Sequence, residues 1–280
     1  MPKVAVVTGG AGGMGLAAAH AIGRDHIVLI ADVHQDRLDS AQGELTAAGI
    51  DCEATVCDIT DPKSVAHLVE QAQTLGPVTS VIHTAGVSPS MGSAEMIIRI
   101  NAIGTVLINS AFCDIANAGM AVVNVASVAG HQLPNLLAPR RRYRSYANDV
   151  ERLQAQLLTV CNLAPPAMRS QIAYVLSKNF VIWYSKTVAA KFGSRGARVL
   201  SVSPGSFDTA MGKLEESAGA GALAQLGALN RFGHPAEIAE LLAFCAGDKP
   251  GYLTGTDIIC DGGVMAAMTP LRQLKLARTR

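Results

Sequence analysis

"KVAVVTGGAGGMG", Lys3 to Gly15, joins an apolar, β-branched run to a cluster of glycines. KVAVVT reads as a buried strand, and the following TGGAGGMG as a turn with Gly9, Gly13 and Gly15 in the pattern T-G-x-x-x-G-x-G. Glycine at those places permits a tight turn, close backbone approach to a pyrophosphate and tight packing of helix on strand. The next segment, "GLAAAHAIG", carries helical spacing, and its N-terminus would offer unpaired N–H groups to phosphate. A second apolar run, HIVLIAD (26–32), closes on Asp32, where a carboxylate can accept hydrogen bonds from the ribose hydroxyls of an adenosine.

The alternation continues outward from there. CEATVCD (52–58), SVIHTAG (80–86), MAVVNVAS (120–127), RVLSVSPG (198–205) and DIICDGG (257–263) complete a set of about seven strand-like runs with helical segments between them. That order predicts an α/β fold, a doubly wound parallel sheet of the Rossmann type, with ligands bound beyond the carboxyl ends of the strands. Asp61-Pro62 and His234-Pro235 read as cap and first-turn pairs of two of the helices. Residues 1–280 show no fixed-period repeat and no low-complexity linker, so one domain is expected.

The chain is 49% hydrophobic and 16% charged, with a net charge of +1. Near-neutrality speaks against a domain-wide footprint for nucleic acid or an anionic membrane. The six cysteines, at 52, 57, 113, 161, 245 and 260, have no C-x-x-C spacing and read as buried thiols rather than a metal site. No secretory leader is recognised in MPKVAVVTGG, and no uninterrupted apolar stretch nears the length of a membrane span. A cytoplasmic protein is expected.

"YVLSK" places Tyr174 and Lys178 four residues apart, on one face of a helix, where an ammonium can influence a phenolic proton. Asp32 favours NAD over NADP, because a carboxylate repels the additional phosphate. Ala31, Val33 and His34 supply no fixed cation, though Arg37 could reach back.

Taken together, these residues resemble the short-chain dehydrogenase/reductase family along almost the whole chain. Its cofactor turn matches Gly9, Gly13, Met14 and Gly15. Its adenine-side pair matches Asp58 and Ile59, and its N-A-G segment Thr84, Ala85 and Gly86. The usual NNAG is HTAG here, so His83 and Thr84 depart from it. Asn101 matches the helix asparagine, Ser127 the active-site serine, and Tyr174 with Lys178 the Y-x-x-x-K. Pro204, Gly205, Phe207 and Thr209 match the segment that holds the nicotinamide end, RFGHPAEIA (231–239) matches R-x-G-x-P-x-E, and TGTDIICDGG (254–263) the last strand. The resemblance implies a catalytic set of Asn101, Ser127, Tyr174 and Lys178. Tyr174 would be the proton carrier, Ser127 would hold the substrate oxygen, Lys178 would bind the nicotinamide ribose, and Asn101 would hold a water. A homodimer or homotetramer is also implied.

Ser127 and Tyr174 are 47 residues apart, against little over a dozen in the family pattern. Residues 133–168 therefore read as an insertion, with a helix expected from about Asn148 to Cys161 whose Val150, Leu153, Leu157, Leu158 and Cys161 form one apolar face. Such a face could make a lid or a subunit contact. The insertion and the ending DGGVMAAMTP are similar to those of bacterial 3α-hydroxysteroid dehydrogenase/carbonyl reductases, which implies a bulky hydrophobic alcohol or ketone substrate, a hydroxysteroid among them. The arginine run Arg140–Arg144 and the basic tail LRQLKLARTR read as solvated surface. Residues 205–230 take the substrate-loop position, with Met211, Leu214, Leu223 and Leu226 as pocket candidates. The rival reading is a non-catalytic NAD-binding sensor or scaffold.

Overall fold

The computed structural model describes residues 2–134, 136–215 and 224–268. Seven parallel strands form the sheet: β1 (Lys3–Thr8), β2 (His26–Asp32), β3 (Cys52–Val56), β4 (Val78–His83), β5 (Ala121–Val125), β6 (Arg198–Pro204) and β7 (Asp257–Cys260). Their spatial order is β3-β2-β1-β4-β5-β6-β7. The chain thus starts in the middle, winds out through β2 and β3, then returns to β4 and winds the other way. The reversal between β1 and β4, where Thr8 lies opposite His83, opens a crevice at the carboxyl ends of the strands.

Both faces of the sheet are covered, which is why the strands read as continuous apolar runs. On one face lie α1 (Gly13–Ile22) and α2 (Gln35–Ala47), burying Ala18, Ile22, Leu38 and Leu45. On the other lie α3 (Pro62–Leu75) and α4 (Ala94–Asp114). Asp61 caps α3 by accepting from the Lys63 and Ser64 amides, with Pro62 in the first turn as expected. By length and composition α4 could cross a membrane, but it runs through the core, with 67% of its most apolar window buried. Several strand-like runs extend past the strands they name. Cys57–Asp58, Thr84–Gly86 and Ser127 leave the ladder and become loops at the mouth of the crevice.

The segment between β5 and the next long helix is packed, not loose. Its helix α5 (Val150–Cys161) starts two residues later than expected, because Asp149 accepts from the Glu151 and Arg152 amides and fixes the N-cap there. Leu153, Leu157 and Cys161 are fully buried and Val150 and Leu158 partly so, against α4 and the helix α6 (Arg169–Gly193). Arg140, Arg141 and Arg144 are exposed, as the surface reading of the run expects, and the residue that departs from it is Tyr143. It is 0% exposed, its ring lies 5.3 Å from both Phe180 and Trp183 on α6, and its hydroxyl donates to Asn179 Oδ1 at 2.9 Å. Tyr146 adds an edge-on contact with Tyr184 at 4.9 Å. Aromatic contacts of this geometry stabilise by about 0.5–1.5 kcal/mol each beyond the area they bury.

The last long helix, α7 (Pro235–Ala246), packs against α1. His234 does not cap it with its side chain. Glu237 reaches back to the His234 amide at 2.7 Å instead, and is itself held by Arg231 at 2.7 and 2.8 Å. That ion pair gives the R-x-G-x-P-x-E spacing its physical sense. Five of the cysteines are buried and Cys260 partly so; burial pushes the Cys52 thiol up to about 12 and those of Cys57 and Cys245 to about 11.

Candidate active site

The candidate residues gather at the carboxyl ends of β1, β2, β4, β5 and β6. Gly9 has φ +70°, and a Cβ there would stand 2.8 Å from the Ala85 nitrogen, so the glycine turn is pressed against the loop after β4. Gly13 has φ +54° and faces Thr209, whose side chain would lie 3.8 Å from a Cβ at Gly13. The turn before α1 and the loop after β6 therefore meet across the crevice. Met14 packs into the core of its own layer, and Gly15 is buried under Gly9.

These features fit a dinucleotide. No side chain caps α1, where the N-cap is the extended Gly12, so the first-turn amides have no local carboxylate or hydroxyl acceptor. Asp32 stands at the end of β2, with its Oδ1 accepting from the Val33 amide at 2.8 Å. Arg37 does reach back. A Cβ on Gly12 would lie 2.9 Å from its Nη2, which puts a cation over the glycine turn. Asp58 is exposed and closes a turn by accepting from Thr60 N and Oγ1, both at 2.8 Å. Ile59 is buried against Gly104 and supports that loop from below. Pro204 ends β6, Gly205 abuts Asp261, and Phe207 is buried beneath Gly233.

Asn101 sits in a π-turn, Arg99–Gly104, within α4. Its buried side chain both accepts from Val87 N and donates to Val87 O, each at 2.9 Å, and also donates to Ser177 Oγ at 3.3 Å. The side chain is thus committed to holding the loop after Gly86 onto α6. Lys178 is 6% exposed, donates to Val125 O at 3.0 Å, and lies 6.0 Å from the centroid of the Tyr174 ring. Burial lowers its pKa to about 8. A Cβ on Gly86 would stand 3.1 Å from Asn101 Oδ1 and 3.4 Å from Lys178 Nζ, which places all three in one corner.

Ser127 lies two residues beyond β5 and caps the short turn Val128–Gln132, its Oγ accepting from Ala129 N at 3.1 Å. That turn is docked on the tyrosine's helix. A Cβ on Gly130 would meet Lys178 C at 2.7 Å and Asn179 N at 2.8 Å, and Asn179 donates to Gly130 O at 2.8 Å. From the other side His131 Nε2 contacts Asp257 Oδ2 at 2.8 Å and Ser203 Oγ at 3.3 Å, tying the turn to β6 and β7. Both partners use the same ring nitrogen, so this cluster is a tether and not a hydrolytic relay.

Sequence reasoning missed the pairing of Ser177 with Asn101, the clamp of Gly130 by Asn179, and the buried bridge made by His83. The His83 Nδ1 lies 2.7 Å from Thr8 Oγ1 and its Nε2 3.1 Å from Thr105 Oγ1. Burial, with the Lys178 charge nearby, lowers its pKa to about 3. A signal was present: histidine in an apolar strand-end run must find two partners. Of the pocket candidates, Met211 and Leu226 are half-buried and Leu214 is 55% exposed, while Leu223 and the basic tail lie outside the described residues.

Known proteins resemble this chain in sequence and fold. A family model described as short chain dehydrogenase matches residues 3–139, and one described as Enoyl-(Acyl carrier protein) reductase matches residues 147–265. The short-chain dehydrogenase/reductase bsc3 of Alternaria brassicicola is 30% identical over 282 residues, covering 96% of this chain and 98% of that protein. The 3-oxoacyl-acyl-carrier-protein reductase of Thermotoga maritima is 28% identical, covering 94% and 98%. Among solved structures, an actinorhodin polyketide ketoreductase with NADPH superposes with a TM-score of 0.73 at 20% identity, covering 94% of this chain and 97% of its own.

Proposed function

The chain belongs to the short-chain dehydrogenase/reductase family, an oxidoreductase family that uses a nicotinamide cofactor, and from that premise we propose that it interconverts a bulky hydrophobic secondary alcohol and its ketone, with NAD preferred. The observation that carries the reading is the buried Lys178 beside Tyr174. When bound, the nicotinamide takes up or delivers the hydride. Tyr174 then accepts the proton of the alcohol, or donates one to the carbonyl oxygen. A phenol with a pKa near 10 needs about 4 kcal/mol of electrostatic help to act near neutrality. Lys178, charged below about pH 8 and screened from water, supplies part of it. The Ser127 hydroxyl holds the substrate oxygen while its turn is fixed by Gly130 and His131. The Asn101 side chain is bonded to Val87 and Ser177 and its main-chain carbonyl accepts from Thr105, so a water at this residue would take the second lone pair of that carbonyl.

Asp32 supports NAD, and Arg37 is the group through which NADP would bind if it did. Half-exposed Met91 and Met168 support an apolar substrate. Met168 immediately precedes α6, and the Gly92 carbonyl beside Met91 accepts from Ser170, one turn before Tyr174. The segment 133–168 acts as a brace on α6 rather than a hinged lid, since Tyr143 is buried at its root. A cytoplasmic homo-oligomer belongs to the same reading. A non-catalytic sensor is disfavoured, because burying an ammonium is costly and binding alone does not need it. The test is a screen of hydroxysteroids and other secondary alcohols with NAD and NADP, followed by nicotinamide absorbance. Turnover of bulky alcohols, faster with NAD, is expected; no turnover of any alcohol or ketone would overturn the proposal.

A further inference from the structure

His83 stands where the family resemblance has asparagine, and its surroundings fix the direction of each hydrogen bond it makes. Thr105 Oγ1 lies 2.8 Å from the main-chain oxygen of Asn101. A carbonyl cannot donate, so the single hydroxyl hydrogen of Thr105 goes there. Toward His83 Nε2, at 3.1 Å, the same hydroxyl can then only accept, so Nε2 carries the ring hydrogen. In a neutral ring Nδ1 is therefore bare, and it accepts from Thr8 Oγ1 at 2.7 Å. The result is one directed chain: Thr8 hydroxyl to His83, His83 to Thr105, Thr105 to the Asn101 carbonyl. All four residues are at most 2% exposed, so an unmade bond in this chain would not be compensated by water.

The two ends of the chain have different tasks. Thr8 is the residue before Gly9 of the cofactor turn. Asn101 lies in the π-turn of α4 and, through Val87 and Ser177, holds the corner that contains Lys178. A π-turn shifts main-chain bonding by one residue inside an α-helix, a rare arrangement that occurs frequently at functional sites. We propose that His83 is a positioning residue: locked as the Nε2–H tautomer, it ties the cofactor turn to the π-turn and thereby holds Asn101 and Lys178 in working geometry. The claim of a catalytic effect rests on the oxidoreductase reading; the tautomer and the tether do not.

The test has two arms. In the full-length protein saturated with NADH, long-range proton–nitrogen NMR of the histidine rings, with His83 assigned by its absence from His83→Gln, reads the tautomer directly. A neutral Nε2–H ring with no titration between pH 5 and 9 is expected. An Nδ1–H ring, or titration in that range, would overturn the proposal. In the second arm His83→Leu removes both bonds, whereas His83→Gln offers one donor and one acceptor. For the best alcohol from the screen, His83→Leu should lower kcat about tenfold with KM and NADH affinity within about twofold, and His83→Gln should recover most of the loss. Equal kcat in the folded leucine variant and the parent would overturn it. Should His83→Leu not fold, the glutamine variant and the NMR arm still decide. A chain that turned over no alcohol would fail the functional proposal and leave the tautomer measurement standing.

Discussion

The Lys178 ammonium stands 6.0 Å from the centre of the Tyr174 ring while bonded to the Val125 carbonyl at 3.0 Å. The cation is thus anchored to the end of a strand rather than swinging on its own side chain. Tyr174→Phe should lower kcat/KM by at least about a hundredfold, the lower range for a lost proton carrier. NADH affinity, read by fluorescence titration, should stay within about twofold. Turnover that survived would remove Tyr174 from the proton path.

Lys178→Met should abolish activity and yet stabilise the fold. The lowered pKa, about 8 against 10.5, means that the folded state holds the proton less tightly than the unfolded state. The stability associated with the neutral amine is present above 10.5 and is lost as pH falls through about 8. At pH 7 the methionine variant should therefore exceed the parent by about 1–3 kcal/mol. Denaturant titrations from pH 7 to 10.5 should show that gap closing. A gap that stayed constant across the range would contradict the assigned burial effect.

Asp32 and Arg37 oppose each other in choosing the cofactor. Asp32→Ser should raise the kcat/KM ratio of NADP to NAD by about tenfold or more, since removing one like charge near a phosphate is worth on the order of 1–2 kcal/mol. Arg37→Ala in the same background should reverse most of that gain and leave NAD kinetics nearly unchanged. If Arg37→Ala had no effect there, the guanidinium would not face the phosphate site.

Gly130→Ala tests the docking of the serine's turn. A methyl group there meets the backbone of Lys178 and Asn179 as well as the Ile182 side chain, and backbone cannot give way, so the turn must shift. A loss of about 1–3 kcal/mol in stability is expected, as for overpacking elsewhere. The fall in kcat should be larger than any change in NADH affinity, because Ser127 moves and the glycine turn does not.

Tyr143→Ala should cost about 3–5 kcal/mol in stability, the range for emptying a buried aromatic site. It should also lower kcat. Asn179 receives the Tyr143 hydroxyl and clamps Gly130, so disorder at Tyr143 reaches the serine's turn through one side chain. Tyr143→Phe keeps the ring and should separate the two effects.

The fold and most of the site were legible in the residues. The strands declare themselves by β-branched runs buried on both faces, and the glycine turn by its place after the first of them. The apolar face of α5 was readable from helical spacing, with Leu153, Leu157 and Cys161 buried as that spacing requires. What escaped were contacts that no local pattern encodes. Tyr143 is flanked by four arginines, so its neighbours suggest water, and only the distant Phe180 and Trp183 explain its burial. Gly130 carries no periodic signal, because the clash it avoids is with a helix 48 residues later, at Lys178. Arg37's reach over Gly12, by contrast, was already open to a flexible side chain at that spacing.

The long connection from Ser127 to Tyr174 also says where this polypeptide tolerates growth. Lengthening a connection costs only about 0.6 kcal/mol per doubling. The path from little over a dozen residues to 47 therefore adds roughly 1 kcal/mol, which burying the ring of Tyr143 more than offsets. Leu163, 82% exposed in the turn between α5 and α6, follows a helix fastened at both flanks. A reporter or affinity module spliced in there would ride on the protein as cargo, with α6 insulated from it.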